Sequence, residues 1–123
     1  MPLTRLDHVL LAMPAGREAE ARAFYTALLG IPEAPKPPQL AKRGGCWFEH
    51  GAVKIHLGVE KDFRPARKAH PAFIVDGLEA LVSTLAEAGH PVSTDEPLEG
   101  YTRFFVDDPF GNRIELIEPL AAR

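Results

Sequence analysis

Four side chains that can ligate a metal or carry a proton fall into two pairs with nearly equal spacing. His8 and His70 lie 62 residues apart, and His56 and Glu115 lie 59 residues apart. Imidazole and carboxylate groups act as general acids and bases and as ligands of divalent metals. Pairs at a near-constant spacing indicate an internal duplication. If the two copies pack about a pseudo-two-fold axis, both pairs converge on that axis.

Composition narrows the chemistry that these side chains can serve. The chain has 123 residues, with five His, one Cys and a net charge of -3. The single Cys46 cannot form an internal disulfide, which is typical of a reducing compartment, and a thiolate metal site is excluded. The acidic balance argues against nucleic-acid binding, which requires a basic face. No apolar run approaches the ~20 residues of a membrane helix, and no signal peptide is evident, so we expect a cytoplasmic protein with no membrane partner.

The predicted strands and helices that position the two pairs recur in the same order in both halves of the chain. Apolar residues spaced i, i+3, i+4, i+7, i+8 predict one helix over 21–29 and another over 78–86, ended by Gly30 and Gly89. Strands are predicted at Leu3–Leu11, Cys46–His50, Ala52–Val59, His70–Val75, Tyr101–Val106 and Asn112–Glu118, with weaker strands around 39–42 and 91–93. The chain is therefore expected to be one domain, 1–123, with unit one at about 3–59, a linker at 60–69 and unit two at about 70–119.

Strand parity predicts where the four side chains point. Successive side chains of a strand alternate between its faces, so Ile55 lies on one face and His56 on the other. The same alternation sets His8, His70 and Glu115 opposite their apolar neighbours. We therefore expect all four candidate ligands on the sheet faces that the helices do not cover.

Three segments carry a resemblance to a known family. Leu6–Val9, His70–Asp76 and above all Phe105–Leu116, which reads FVDDPFGNRIEL, resemble the vicinal oxygen chelate superfamily. That superfamily includes glyoxalase I, extradiol ring-cleaving dioxygenases, fosfomycin-modifying thiol transferases and bleomycin-binding resistance proteins. The resemblance covers roughly residues 4–118. It implies an α+β fold in which two βαβββ units form an open, cupped mixed β-barrel with the helices outside, often as a homodimer.

The resemblance also implies a metal site. By position, His8, His70 and Glu115 match the family's metal triad, and His56 matches a fourth ligand position that glyoxalase I fills with Glu. His56 could therefore be a ligand or a catalytic general base. Two imidazoles and one carboxylate leave coordination positions open on one divalent ion, which could be Fe, Mn, Ni, Co or Zn. A small substrate would then bind through two adjacent oxygens.

The sequence leaves the reaction open. Arg103, Phe105 and Arg113 are the predicted substrate contacts, with Arg103 the best candidate for an anion. An isomerase, a thiol transferase and a ring-cleaving dioxygenase all fit the predicted ligands. A metal-free binding protein of the bleomycin-resistance kind is the alternative from a different class, and a domain with a vestigial site is a third. The basic linker is interpreted as solvated, although Arg64 or Arg67 could reach an anionic substrate.

Other reactive side chains are expected to have structural roles. His50 falls in a turn and His90 beside a helix end, outside the duplicated pattern. Cys46 is predicted to be a small buried hydrophobe, and Trp47 a core residue. Glu49 is expected to be solvated.

Overall fold

The structure is a computed structural model that describes residues 1–121, and residues 122 and 123 lie outside the described part. The chain divides into a first unit, Met1–Arg64, and a second unit that begins at Pro65. No helix within residues 1–121 is long and apolar enough to cross a membrane.

The first unit is a four-stranded sheet with one main helix. Its elements are β1 (Val9–Met13), α1 (Glu18–Arg22) continued by a π-helix (Ala23–Leu28), β2 (Glu33–Ala34), α2 (Pro38–Ala41), β3 (Cys46–His50) and β4 (Val53–Val59). The strand order is β1-β4-β3-β2. β1 runs parallel to β4, and the other pairs are antiparallel. The last strand therefore lies between the first and the third.

The apolar stripe of the first helix packs on one face of this sheet. Ala21, Phe24 and Tyr25 are fully buried, and the Tyr25 ring stacks on the ring of Phe48 with centroids 5.3 Å apart. The chain leaves the helix through Gly30, whose φ of 79° is the left-handed conformation expected at a helix end. The helix predicted over 21–29 is confirmed in position, although its second half is a π-helix.

Two strand predictions in this unit are wrong. The segment Leu3–His8 is not a strand, since β1 begins only at Val9, opposite Ile55 of β4. In this parallel register the first residue of β4, Val53, falls opposite Asp7, so residues 3–6 run past the end of the strand that would pair with them. The segment around 39–42 lies on the short helix α2, since Pro38 stands at its first turn, where proline favours a helix start.

The second unit repeats the same pairing with fewer strands. Its elements are β5 (Ala72–Ile74), α3 (Leu78–Glu87), β6 (Tyr101–Asp107) and β7 (Arg113–Pro119). The order is β5-β7-β6, with β5 parallel and β6 antiparallel to β7. The weak strand predicted around 91–93 is reduced to a single bridge between Ser93 and Phe105. The predicted α+β class and the duplicated strand–helix–strand order are confirmed.

A carboxylate from the last strand holds α3 to this sheet. Glu118 of β7 accepts hydrogen bonds from the backbone N–H of Gly77 at 2.8 Å and of Leu78 at 3.3 Å. The first N–H groups of a helix have no partner within the helix, so this side chain replaces a local cap. Leu78 and Leu85 are fully buried on the inner side of the helix.

A buried turn anchors the chain where the second unit begins. The Asp108 carboxylate accepts hydrogen bonds from the backbone N–H of Phe110 and from the backbone and side-chain N–H groups of Asn112, each at 2.9 Å. Asn112 Oδ1 in turn accepts the backbone N–H of Ala66 at 2.9 Å, and the carbonyl of Ala66 accepts that of Arg113 at 2.8 Å. Ala66, within the predicted linker, is therefore held at its N–H by a side chain and at its carbonyl by the backbone of β7.

Two glycines with the same backbone conformation should respond differently to alanine. Gly30 (φ 79°) has open space around an added Cβ, whereas at Gly45 (φ 80°) the added Cβ would lie 2.1 Å from the carbonyl oxygen of Leu57. Both substitutions incur the left-handed conformational cost of about 1–2 kcal/mol. We expect Gly45→Ala to lower the free energy of unfolding by at least about 2 kcal/mol more than Gly30→Ala, because backbone in β4 must move. Urea unfolding of both variants measures the difference, and equal losses would contradict the close approach.

Candidate metal centre

Strand register sorts the side chains of the first sheet as parity predicts. In the first unit Leu11, Met13, Ile55 and Leu57 are buried, whereas Leu10, one position away, is 59% exposed. His56 lies directly opposite Leu10 of β1 and opposite Trp47 of β3. The face of this sheet that carries His56 is thus the one opposite the apolar face.

His56 lies in a column of three parallel rings. Its imidazole stacks on the indole of Trp47, with centroids 4.0 Å apart and planes 5° from parallel. On the other side the His8 ring stacks on it at 4.2 Å and 20°. The His56 side chain is 7% exposed as a result. The fold therefore brings together the first two predicted ligands, which are separated by most of the first unit in sequence.

In the second unit the fold brings together the other two predicted ligands. His70 Nε2 lies 2.8 Å from Glu115 Oε1. Glu115 Oε2 lies 3.4 Å from Arg103 Nη1, and the Glu115 side chain is 10% exposed. A carboxylate removed from water in this way needs charged or hydrogen-bonding partners, and His70 and Arg103 supply them.

Each of the three imidazoles has one ring nitrogen held by an oxygen acceptor. His56 donates from Nε2 to Glu49 Oε2 at 2.7 Å, His8 donates from Nδ1 to Asp7 Oδ2 at 3.0 Å, and His70 donates from Nδ1 to the Lys68 carbonyl at 2.9 Å. In a neutral imidazole the nitrogen that does not donate carries the lone pair. The hydrogen bonds to His8 and to Lys54, in that order, lower the pKa of the Asp7 carboxyl. The acceptors thus define the donating nitrogen of His8 and of His56, whereas both ring nitrogens of His70 face an oxygen, since its Nε2 lies 2.8 Å from Glu115 Oε1.

The predicted substrate contacts form a cluster on the second sheet. The Arg113 guanidinium lies 4.0 Å and that of Arg103 lies 5.3 Å from the Phe105 ring centroid, and the edge of the His70 ring approaches the same ring at 5.5 Å. Arg103 Nη2 donates to the Glu96 carbonyl at 2.6 Å, while its buried Nε has no hydrogen-bond partner within residues 1–121. Two guanidinium groups therefore share one aromatic ring beside Glu115.

The four predicted ligands do not form a single cluster within one unit. Among residues 1–121 no group of three or more His, Cys, Asp or Glu side chains could hold a metal ion. The donor atoms themselves suit a divalent metal, since each pair consists of an imidazole with either a second imidazole or a carboxylate. Each unit therefore contributes two ligands of the right type, and the single four-residue site stays a prediction.

Sequence reasoning missed three partners of the imidazoles, of which two could have been found from the hairpin register. Glu49 was expected to be solvated, but its carboxylate binds His56, and Trp47 forms the end of the ring column. The short turn between His50 and Val53 sets Trp47 opposite His56 and places Glu49 on the same face. The hairpin register could have revealed both. The carbonyl of Lys68 that accepts the His70 N–H is a backbone group, so the identity of residue 68 gives no sign of this contact.

Comparison with known proteins gives the following similarities. The family model described as Glyoxalase/Bleomycin resistance protein/Dioxygenase superfamily matches residues 5–116. A glyoxalase family protein from Bacillus anthracis is 48% identical, with a TM-score of 0.91 over 96% of this chain and 97% of that chain. Lactoylglutathione lyase from Agrobacterium tumefaciens is 20% identical, with a TM-score of 0.71 over 96% of each chain. TnmS3, an antibiotic binding protein from Streptomyces sp. CB03234, is 19% identical, with a TM-score of 0.73 over 98% and 99%. The last two similarities concern the fold alone, and no curated protein matches the chain at a significant level.

Cys46 should be inert in the folded protein. It is buried, as predicted, and burial raises the pKa of its thiol to about 11. At pH 8 about a thousandth of such a thiol is ionised, against roughly a quarter of a free cysteine with the usual pKa of about 8.5. We expect a disulfide reagent such as DTNB to react at least roughly 200-fold more slowly with the folded chain than with the chain in denaturant. Comparable rates in the two states would contradict the burial.

Proposed function

The chain belongs to the glyoxalase/bleomycin resistance/dioxygenase superfamily, and from this premise we propose that it is a metalloenzyme acting on a small molecule. In this proposal His8, His70 and Glu115 hold one divalent metal ion, and His56 is the fourth ligand or the general base. The ion would be Fe, Mn, Ni, Co or Zn. When bound, it would act as a Lewis acid on two adjacent oxygens of the substrate.

The hydrogen bonding of the three imidazoles is the observation that supports this proposal most directly. Histidines that ligate metals almost always donate their second ring N–H to a carboxylate or a backbone carbonyl, which sets the tautomer and the ring orientation. Asp7, Glu49 and the Lys68 carbonyl take these positions around His8, His56 and His70. The nitrogens that these acceptors do not hold are Nε2 of His8, Nδ1 of His56 and Nε2 of His70, and the last of them contacts Glu115 Oε1.

The His70–Glu115 pair favours the same assignment. The two atoms in contact, Nε2 and Oε1, are the ones that would bind the ion, while the Lys68 carbonyl holds the far side of the His70 ring. Arg103 contacts the other oxygen of Glu115 and balances its charge. In the absence of metal, the hydrogen bond between His70 and Glu115 keeps both polar groups satisfied in a poorly solvated place.

His56 and Glu49 could also move a proton during the reaction. In this role His56 Nδ1 accepts a proton from the substrate carbon, while Nε2 keeps its hydrogen bond to Glu49. The carboxylate holds the imidazole in the accepting tautomer and stabilises the positive charge that develops on it. Arg103 and Arg113 would bind anionic oxygens of the substrate, with Phe105 packed between them and the sheet.

A homodimer in the cytoplasm is the proposed setting for this activity. In this proposal the ion has three protein ligands, of which His8 belongs to the first unit and His70 and Glu115 belong to the second. Members of this superfamily often dimerise, and we propose that two copies associate here. The single cysteine is in keeping with a reducing compartment.

Metal-free binding of a small molecule is the second candidate. It is favoured by a cavity of about 740 Å³ in the first unit, within the range of ligand sites. An antibiotic binding protein, TnmS3, shares the fold. A binder of this kind would not need three imidazoles that are each oriented by an oxygen acceptor, so metal uptake separates the two candidates.

Loss of either second-unit ligand should abolish metal binding. Wild-type protein, incubated with Fe, Mn, Ni, Co or Zn in turn and desalted, is expected to retain about one ion per chain of at least one metal by elemental analysis. His70→Ala and Glu115→Ala should each weaken affinity by at least about 100-fold, because each variant loses one member of the three-residue set that holds the ion. His50→Ala, at the exposed last residue of β3, is the matched control and should bind as wild type. No stoichiometric uptake by the wild type would refute the metalloenzyme and leave the binding protein.

Glu49 should matter to the metal without touching it. Glu49→Gln removes the charged acceptor of the His56 N–H, and we expect metal affinity to fall about 10- to 100-fold, as for other partners of ligand histidines. Glu99→Gln, an exposed acidic position, is the control. Unchanged affinity in Glu49→Gln would exclude His56 as a ligand and leave it only the role of base.

A further inference from the structure

The cavity of the first unit exists because two small residues face each other on its sheet. Ala12 of β1 pairs with Gly58 of β4, and neither side chain extends beyond Cβ. Larger side chains stand around this floor, namely Leu10, Trp47, His8 and His56. A Cβ added to Gly58 would already lie 3.3 Å from both methyl groups of Leu10, so the floor is close to another apolar wall. The result is a flat floor bordered by rings and a leucine.

A short segment of chain forms the opposite wall and is firmly anchored. Lys36, Leu40 of α2 and Arg43 line the cavity from this side. The segment rejoins β3 through Gly45, whose N–H donates to Glu18 Oε2 at 2.8 Å. That hydrogen bond is the main reason the pKa of the Glu18 carboxyl is lowered. The ammonium of Lys36 also donates to the carbonyl of Gly44, which closes the segment on itself.

The charged side chains of this wall are both cationic, Lys36 and Arg43, whereas the negative charges of the cavity come from residues outside the segment. The acidic side chains that line the cavity all accept hydrogen bonds from other residues: Asp7 from His8 and Lys54, Glu49 from His56, and Glu60 from the backbone of Arg64. By contrast, neither Lys36 nor Arg43 forms an ion pair within residues 1–121, and the Arg43 guanidinium has no hydrogen-bond partner there either. A guanidinium at the edge of an apolar cavity suits a carboxylate, which it can bind through two parallel hydrogen bonds.

We propose that this cavity binds a flat, aromatic carboxylate, with the ring over Ala12 and Gly58 beside Trp47 and the carboxylate on Arg43. The inference rests on the proposed function, because the cavity includes His8 and His56, and it adds the chemical class of the substrate. The floor without side chains admits a planar body more readily than a bulky one, and aromatic walls favour an aromatic ring. Arg43 selects for the anion.

Trp47 makes the proposal directly measurable. It is the only tryptophan of the chain and lines the cavity, so its fluorescence reports on occupancy without interference. Three probes separate shape from charge: benzoate, neutral benzamide with the same ring, and cyclohexanecarboxylate with the same charge on a puckered ring. We expect benzoate to quench Trp47 saturably and to bind about tenfold more tightly than either of the others.

Two variants with matched controls test the residues. Arg43→Gln should weaken benzoate binding about tenfold, to the level of benzamide, whereas Lys42→Gln, an exposed neighbour that does not line the cavity, should leave it unchanged. Ala12→Leu should abolish quenching by filling the floor, and circular dichroism establishes that this variant is folded. If Ala12→Leu does not fold, Gly58→Ala replaces it with the same expectation of weaker binding.

The titrations are run in EDTA so that they are independent of the metal. Benzoate binding together with failure of metal uptake would overturn the metalloenzyme and leave the ligand class standing. Metal uptake without benzoate binding would overturn the proposed ligand class and leave the metalloenzyme standing. Three results would each overturn the proposal: equal affinity for all three probes, an unchanged affinity for benzoate in Arg43→Gln, or no quenching at 10 mM benzoate.

Discussion

Both sheets are organised by one interaction, the parallel pairing of the first strand of each unit with its last. Hydrogen bonds along β1 and β4, and along β5 and β7, draw together residues separated by most of a unit in sequence. The last strand consequently pairs with a strand on each side, so its backbone, and with it the direction of its side chains, is fixed by hydrogen bonds along both edges. His56 and Glu115, the central predicted ligands, stand on these two strands. Without that pairing neither His8 nor His70 would approach its partner.

The two faces of the first sheet carry different kinds of side chain. Tyr25, stacked on Phe48, lies with the buried residues under the first helix, where burial of apolar area supplies most of the stability. The other face of the first sheet carries the ring column of Trp47, His56 and His8. Stacking and hydrogen bonds to carboxylates restrict these rings before any ligand arrives. A site that is ordered in advance loses less conformational entropy when it binds.

The two buried or half-buried carboxylates of the candidate site are paired within their own units. Glu115 is shared between His70 and Arg103, and Glu49 is engaged by His56. An unpaired carboxylate in such surroundings would destabilise the fold, so these contacts stabilise the protein whether or not an ion binds. If the proposed metal binds, it would have to replace the contact between His70 and Glu115.

Local patterns determined a large part of this protein. The i, i+3, i+4 stripes located both main helices, the alternation of apolar residues assigned His56 and Glu115 to the correct faces, and the motif ending in Glu115 and Leu116 identified the family. These features depend on residues close in sequence, whose periodicity is set by backbone geometry. Tertiary structure alone decided that residues 3–6 are not part of a strand, because β4 begins at Val53, which falls opposite Asp7, and that Glu118 of β7 caps α3. The tertiary structure also makes Glu49 and the Lys68 carbonyl the hydrogen-bond acceptors of His56 and His70. Such contacts join residues far apart in the chain, or involve the backbone, and no local pattern of residue types specifies them.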